Sequence, residues 1–347
     1  MTSKQQPIRL ALLGFGNVGR ALARLLLDKE EHLRQAYDLT FQVVGIATGS
    51  HGMALDPAGI DLVQALSLYE SGQSLNALSS QEVQNSEEFI RNSEAHVLFE
   101  TIPVNYDTGQ PALGYLKRAL QAGMHGITAN KGPVVHGYRE LKALSRQQGR
   151  SFLFESAVMD GAPVFSLARC GLPAAEITGF RGILNSTTNF IFSQMEEGHT
   201  LEAAITQAQG LGIAETDPSG DVDGWDAAIK VAALATVLMD IPITPQEVKR
   251  EGIRGIDQAA IEKARMEGTR WKLVCSARRS GQPGRDVRAS VGPQMVPPSS
   301  PLYHVSGTSA ILQIESDVLG ELSLQGKDPT PMTTAYGLLA DFMNAIR

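Results

Sequence analysis

A chain of 347 residues with 43% hydrophobic and 19% charged positions can build more than one core, so two domains are expected, the arrangement in which small ligands usually bind. A formal net charge of -7, with aromatics that do not interleave with Lys or Arg, excludes a broad basic face and makes nucleic acid an unsuitable partner. Cys170 and Cys275 are too few for a disulfide framework, and the seven histidines show no metal-ligand spacing, which argues against zinc.

The polar residues 1–7 carry no apolar segment of the signal-peptide kind, and no run approaches the roughly 20 apolar residues that cross a bilayer. A cytoplasmic protein without membrane contact is expected.

Residues 8–13 (IRLALL) read as a strand that stops at glycine, and Val18, Ala21, Leu22, Leu25 and Leu26 then recur at helical spacing. Strands follow at 41–47, 95–100, 125–129 and 152–155, with helices near 113–122 and 141–147 and a polar connection over 71–93. Strands alternating with helices predict an α/β fold with a Rossmann-like, doubly wound parallel sheet. From about Pro163 the pattern changes. A strand at 176–184, helices at 202–209 and 224–239, and strands at 272–277, 287–291, 310–316 and 321–324 predict a second, α+β domain with a more antiparallel sheet. Turns are expected at 282–285 and 296–301, and a last helix at 334–346 is expected on the first domain. The domains are therefore placed at 1–148 with 325–347, for nucleotide binding, and at 149–324, for catalysis and dimerisation.

Gly14-Phe15-Gly16-Asn17-Val18-Gly19 is a G-x-G-x-x-G directly after a strand and opening a helix. The first glycine permits the turn, the second lets a pyrophosphate approach the backbone, and the third lets helix and strand pack closely. An uncapped helix start offers N–H groups to phosphate. The carboxylate that would bind a ribose 2'-hydroxyl at the end of the second strand is missing, since Ala47 leads into Thr48-Gly49-Ser50-His51. No arginine stands in that loop either, so NAD(P) is the expected cofactor, with NADP slightly favoured.

Lys131 follows a predicted parallel strand, at the carboxyl end where open α/β sheets bind ligands, although a solvated loop charge reads the same way. Lys230 is the only charge in AAIKVAALATVLM, a helix apolar on most sides, and Asp226 lies one turn before it. A lysine held there costs free energy unless paired or used, and desolvation beside a carboxylate tunes it as an acid or base. Glu215, Asp217, Asp221, Asp223 and Asp226 crowd just upstream, either as a surface acidic loop or as a site for an ammonium-bearing substrate.

ANKGP at 129–133, GILNSTTNFI at 182–191 and GIAETDPSGDVDGWDAAIK at 212–230 resemble the motifs of the homoserine dehydrogenase family, with further likeness at 99–113, 155–164 and 243–253. The resemblance implies reversible, NAD(P)-dependent interconversion of L-homoserine and L-aspartate 4-semialdehyde, a step toward threonine and methionine. It implies that Lys230 transfers the proton, with Lys131 beside cofactor and substrate. It places Glu215, Asp221 and Asp226 on the substrate, and Thr101, Gly212 and Gly326 with the glycine turn on the cofactor. It further implies a Na+ or K+ site built from carbonyls of Glu155, Val158, Asp160 and Ala162, and a homodimer joined through the second domain's sheet.

The chain departs from the family at 326–335 (GKDPTPMTTA), where only Gly326 remains of a glycine-rich loop, and at Thr308, where an asparagine is usual. A dehydrogenase of the same architecture for another small amino or hydroxy acid is the alternative. A nucleotide-binding sensor without turnover would be expected to lack Lys131 or Lys230. No appended regulatory module is expected after residue 347.

Overall fold

Short apolar runs covered on both faces become the strands of the first sheet. The computed structural model describes residues 6–282 and 285–347, without the side chains of Gln282 and Arg285. The chain divides into two units, one running to Pro163 and joined by Thr330–Arg347, the other Val164–Pro329.

In the first unit β1 (Ile8–Leu13), β2 (Phe41–Ala47), β3 (Met53–Leu55), β4 (Val97–Glu100), β5 (His125–Thr128) and β6 (Phe152–Leu153) form one sheet in the order β3-β2-β1-β4-β5-β6. All neighbours are parallel except β3, which runs against β2. Every residue of β4 is buried, the signature of a parallel strand with helices on both faces. The helices are α1 (Asn17–Tyr37), α2 (Leu62–Glu70), α3 (Ser86–Asn92), α4 (Ala112–Gln121), α5 (Lys131–Gln147) and α6 (Ser156–Met159). The register pairs Leu13 with both Ala47 and Glu100, and Glu100 with Thr128, so these strands end level with one another.

The second unit begins with α7 (Val164–Ser166) and contains β7 (Ile177–Ile183), α8 (Ser186–Glu196), α9 (Leu201–Gly210), α10 (Ser219–Val222), α11 (Trp225–Leu238), β8 (Lys249–Arg250), α12 (Gln258–Met266), β9 (Arg270–Gln282), β10 (Arg285–Val296), β11 (Ala310–Ser316) and β12 (Gly320–Gly326). Its sheet order is β12-β11-β7-β9-β10-β8, antiparallel except between β10 and β8. Helices α8, α11 and α12 pack on β9.

Helix α13 (Pro331–Ile346) completes the first unit: Thr330 caps it, Phe342 meets Phe99 of β4 edge-on at 6.0 Å, and it packs on α1. Residues 149–163 sit in the first unit rather than the second, because β6 extends the sheet beside β5 and Ser156 Oγ donates to Thr334 O at 2.6 Å. Residues 325–329 sit in the second, because Gln325 and Gly326 pair with Ile311 and Ala310. The polar connection over 71–93 holds α3, whose Phe89 is buried against Gly45 of β2, where a Cβ would stand 2.7 Å from the ring. The turn expected over 282–285 falls on Pro283 and Gly284, and the polar start of the chain falls on residues 1–5; both lie outside the described residues. Among the described residues no helix is long and apolar enough to cross a membrane.

Candidate active site

The glycine turn between β1 and α1 has the shape that its spacing predicts. Gly14 adopts φ +106, and a Cβ there would stand 2.6 Å from Thr101 Oγ1, which itself donates to Gly14 O at 3.0 Å. A Cβ on Gly19 would stand 2.3 Å from Gly14 O, whereas no atom lies within 4 Å of a Cβ position on Gly16. The turn is thus closed on the side of the sheet and open at Gly16. Phe15 is buried, and α1 follows Gly16, which offers it no side-chain cap, and has no acid in its first turn. Unshielded N–H groups and the positive end of the helix dipole suit a diphosphate, so the residues fit a dinucleotide.

Sequence spacing hides the neighbours of this turn. The Arg20 guanidinium lies 4.3 Å from the centroid of Tyr69, oriented by Asn17 Oδ1 at 2.8 Å, and the His51 ring lies 4.2 Å from the same Tyr69 ring. A cation therefore does stand beside the loop that ends β2, brought there from α1.

At the ends of β4 and β5, Asn130 caps α5 by accepting from Gly132 N at 2.9 Å, and its Nδ2 donates to Ile102 O and Pro103 O. Lys131, half-buried, is the first residue of that helix. Beneath this turn lies Glu100, fully buried. Its carboxylate accepts from Ile102 N at 2.8 Å and from Thr128 Oγ1 at 2.5 Å, and burial pushes it up to about 7 despite those donors.

The second unit brings Asp221 and Asp226 of the acidic run together with Lys230. All residues from Ala227 to Thr236 of α11 are buried, which explains how one lysine comes to be enclosed there. Lys230 Nζ donates to Leu184 O at 2.7 Å and lies 2.9 Å from Asp226 Oδ2, with both side chains less than 15% exposed. Asn185, the cap of α8, joins the group: its Nδ2 donates to Asp221 Oδ1 at 2.6 Å and to Asp226 Oδ2 at 3.0 Å. Burial and the charge of Asp226 raise Asp221, while Asn185 and Lys230 pull it back. A lysine so held, with carboxylates beside it, is equipped to deliver a proton as the ammonium and to take one as the neutral amine. The only visible trace of Asn185 in the sequence is an asparagine before a Ser-Thr-Thr helix start.

A buried lysine that periodicity reads as an ordinary strand residue also emerges. Lys272 of β9 is fully buried, donating to Asn189 Oδ1 at 3.0 Å and Val305 O at 2.6 Å, and burial brings it down to about 8. Asn189 in turn holds the backbone of Gly307 and Ser309, next to the position where the family's asparagine is absent.

The other expected site residues lie on further segments of the two units. Glu215 and Gly212 are exposed on the connection from α9, Gly212 with φ +70. Gly326 ends β12 in register with Ala310, so it belongs to a strand and not to a loop. After it, Asp328 takes the left-handed conformation, φ 46, that the missing glycines would adopt freely. Of the expected cation loop, Glu155, Val158 and Asp160 flank or form α6, Asp160 has φ 48, and Ala162 N donates back to Met159 O at 2.9 Å. Among the described residues no three His, Cys, Asp or Glu side chains converge, and a site of carbonyls would not need them.

The family model for homoserine dehydrogenase matches residues 163–343. An NAD(+)-dependent homoserine dehydrogenase from Pseudomonas canavaninivorans is 36% identical over 337 residues, 97% of this chain and 95% of that protein. A homoserine dehydrogenase from Methanocaldococcus jannaschii is likewise 36% identical, covering 96% of this chain and 97% of its own. A solved homoserine dehydrogenase from Thiobacillus denitrificans superposes with a TM-score of 0.82 at 28% identity, over 99% of this chain and 74% of that one. Agreement of this extent, on a chain that builds both a dinucleotide turn and an enclosed lysine–aspartate pair, places the protein in the homoserine dehydrogenase family.

Proposed function

We propose that this protein is an NAD(P)-dependent homoserine dehydrogenase, interconverting L-homoserine and L-aspartate 4-semialdehyde in the route to threonine and methionine. The observation that carries the reading is the enclosed ammonium of Lys230, held by Asp226 and the Leu184 carbonyl in a chain of this family. The nicotinamide supplies or accepts the hydride when bound. Lys230 takes the hydroxyl proton in the oxidative direction and returns it to the developing alkoxide in the reductive one. Asp226 keeps the ammonium in place, and Asn185 shares its amide between Asp226 and Asp221 so that the carboxylates do not repel each other apart. Glu215, exposed, and Asp226 hold the amino end and reacting hydroxyl of the substrate, and Asp221 adds another polar group to that site.

The cofactor's diphosphate is assigned to the turn Gly14 to Gly19, with Thr101 behind it and Lys131, Gly212 and Gly326 as further contacts. The favoured cofactor is NADP, supported by the absence of an acid after β2 and by Arg20 and His51 stacked on Tyr69. A monovalent cation at the carbonyls of Glu155, Val158, Asp160 and Ala162 is supported by the left-handed turn at Asp160 and Gly161. A homodimer through the second unit's sheet is supported by the exposed edge strand β12. The domain roles follow: nucleotide binding in the first unit, catalysis and pairing in the second.

Following nicotinamide absorbance with L-homoserine and either NAD+ or NADP+ tests the reading, beside a panel of other small amino and hydroxy acids. Reduction with homoserine above all others is expected. Silence with homoserine alongside turnover of another acid would move the assignment to that substrate.

A further inference from the structure

Glu100 is a buried carboxyl with no part in the proton transfer above, and it stands on the cofactor side of that reading. Its position at the level ends of β4 and β5 makes it a junction. One oxygen holds Ile102 N, which starts the loop after β4, and the other receives the Thr128 hydroxyl at the end of β5. Thr128 Oγ1 accepts in turn from Asn130 N at 2.8 Å, and Asn130 caps the helix that Lys131 opens. A single carboxylate therefore ties the turn that presents Lys131 to the loop that follows Thr101.

The groups acting on Glu100 are neutral: Thr128, Ile102 N–H and Asn130. Leu13 of β1 is its register partner. Among the ionisable groups on neighbouring elements, Arg9, His96 and His125 lie at the opposite ends of the strands. Lys117 and Arg118 of α4 pair with Glu140 and Glu87, Asp341 of α13 accepts from Glu155 N, and Lys131 stands at the turn itself. A carboxylate buried without a cation costs free energy that an alanine or threonine there would not, so its retention calls for a use.

We propose that Glu100 is a positioning residue whose protonation state sets the Thr128–Asn130–Lys131 turn and thereby the grip of the first unit on its nicotinamide cofactor. As a carboxylate it accepts all of its donors and the turn is ordered. A proton taken from solvent onto Oε2 converts that oxygen to a donor, and the Thr128 hydroxyl must turn from donor to acceptor. That hydroxyl then accepts from both Glu100 and Asn130 N, and its own proton, no longer taken by the carboxylate, must find another acceptor, which loosens the turn.

The inference rests on the cofactor reading, and binding measured by nicotinamide fluorescence separates the two. For the wild type, the Kd of NADPH and of NADH should tighten about threefold or more between about pH 6 and about pH 8, the range in which this carboxyl ionises. Glu100→Gln, fixed in the protonated pattern, should hold the weaker affinity at every pH. Thr128→Val keeps the carboxyl and removes a donor that favours its charge, so its transition should move to higher pH; this variant serves should Glu100→Gln fail to fold. A wild-type Kd that is flat with pH, a pH dependence that persists in Glu100→Gln, or an unmoved transition in Thr128→Val overturns the proposal. Failure of wild type to bind either cofactor at any pH overturns the cofactor reading instead.

Discussion

Replacing Asn185 tests whether the two carboxylates beside Lys230 are held by one amide. Asn185→Ala removes the acceptor for Thr188 N and for Thr188 Oγ1, both at 2.8 Å, the donor to Asp221 and the donor to Asp226. Loss of a helix cap costs about 1 kcal/mol, and hydrogen bonds to charged groups contribute about 1.5–3 kcal/mol each. Because Asp221 and Asp226 can each take up water or a proton when released, a total near 3 kcal/mol is expected rather than the full sum. Urea unfolding measures it. Turnover should fall at least about tenfold, since Asp226 then no longer fixes the ammonium. Asn185→Asp separates the causes: it retains a cap acceptor but sets a third carboxylate against two others, so stability should recover partly while turnover stays low. A variant within about 1 kcal/mol of wild type that turns over normally would refute the bridging role.

Arg20→Ala should weaken NADPH binding about tenfold and leave NADH nearly unchanged; equal weakening of both would mean that Arg20 does not recognise a 2'-phosphate. In thiol titration of the native protein, exposed Cys170 should react and Cys275, buried and pushed up to about 12, should react only on unfolding; two fast thiols would contradict the burial. Lys272→Met should show a stability deficit that depends on pH. The folded lysine titrates near 8 against 10.5 unfolded, so wild type bears the cost of a buried charge at neutral pH and is relieved of it as pH rises through that window. The wild-type advantage over Lys272→Met should therefore grow by about 3 kcal/mol between about pH 8 and pH 10.5, and a constant difference would show that the fold does not lower the affinity of this lysine for its proton.

The first sheet was readable because its strands are short apolar runs that end at Gly14, Thr48 and Thr101, and because a glycine turn has a fixed spacing. Helix α11 was readable for the opposite reason, as a single lysine in a long apolar run stands out. What stayed hidden depends on tertiary proximity. Asn185 meets Asp221 across 36 residues, and Tyr69 gathers His51 and Arg20 from two other elements. Lys272 and Glu100 each look like the polar position of a strand, and only packing shows that no water reaches them. Helix α3 has little amphipathic signal because Phe89 and Ile90 are its only apolar residues, and the boundary lies later than the sequence suggests because the strand at 152–153 pairs with β5 and so belongs to the first sheet.

The most direct test is Lys230→Ala, read by homoserine turnover and cofactor Kd side by side. Turnover should drop by about a thousandfold, within the range that a lost general acid or base costs, while NADPH affinity changes by less than about twofold. Homoserine oxidation within about fivefold of wild type would remove the enclosed ammonium from the chemistry and contradict the account.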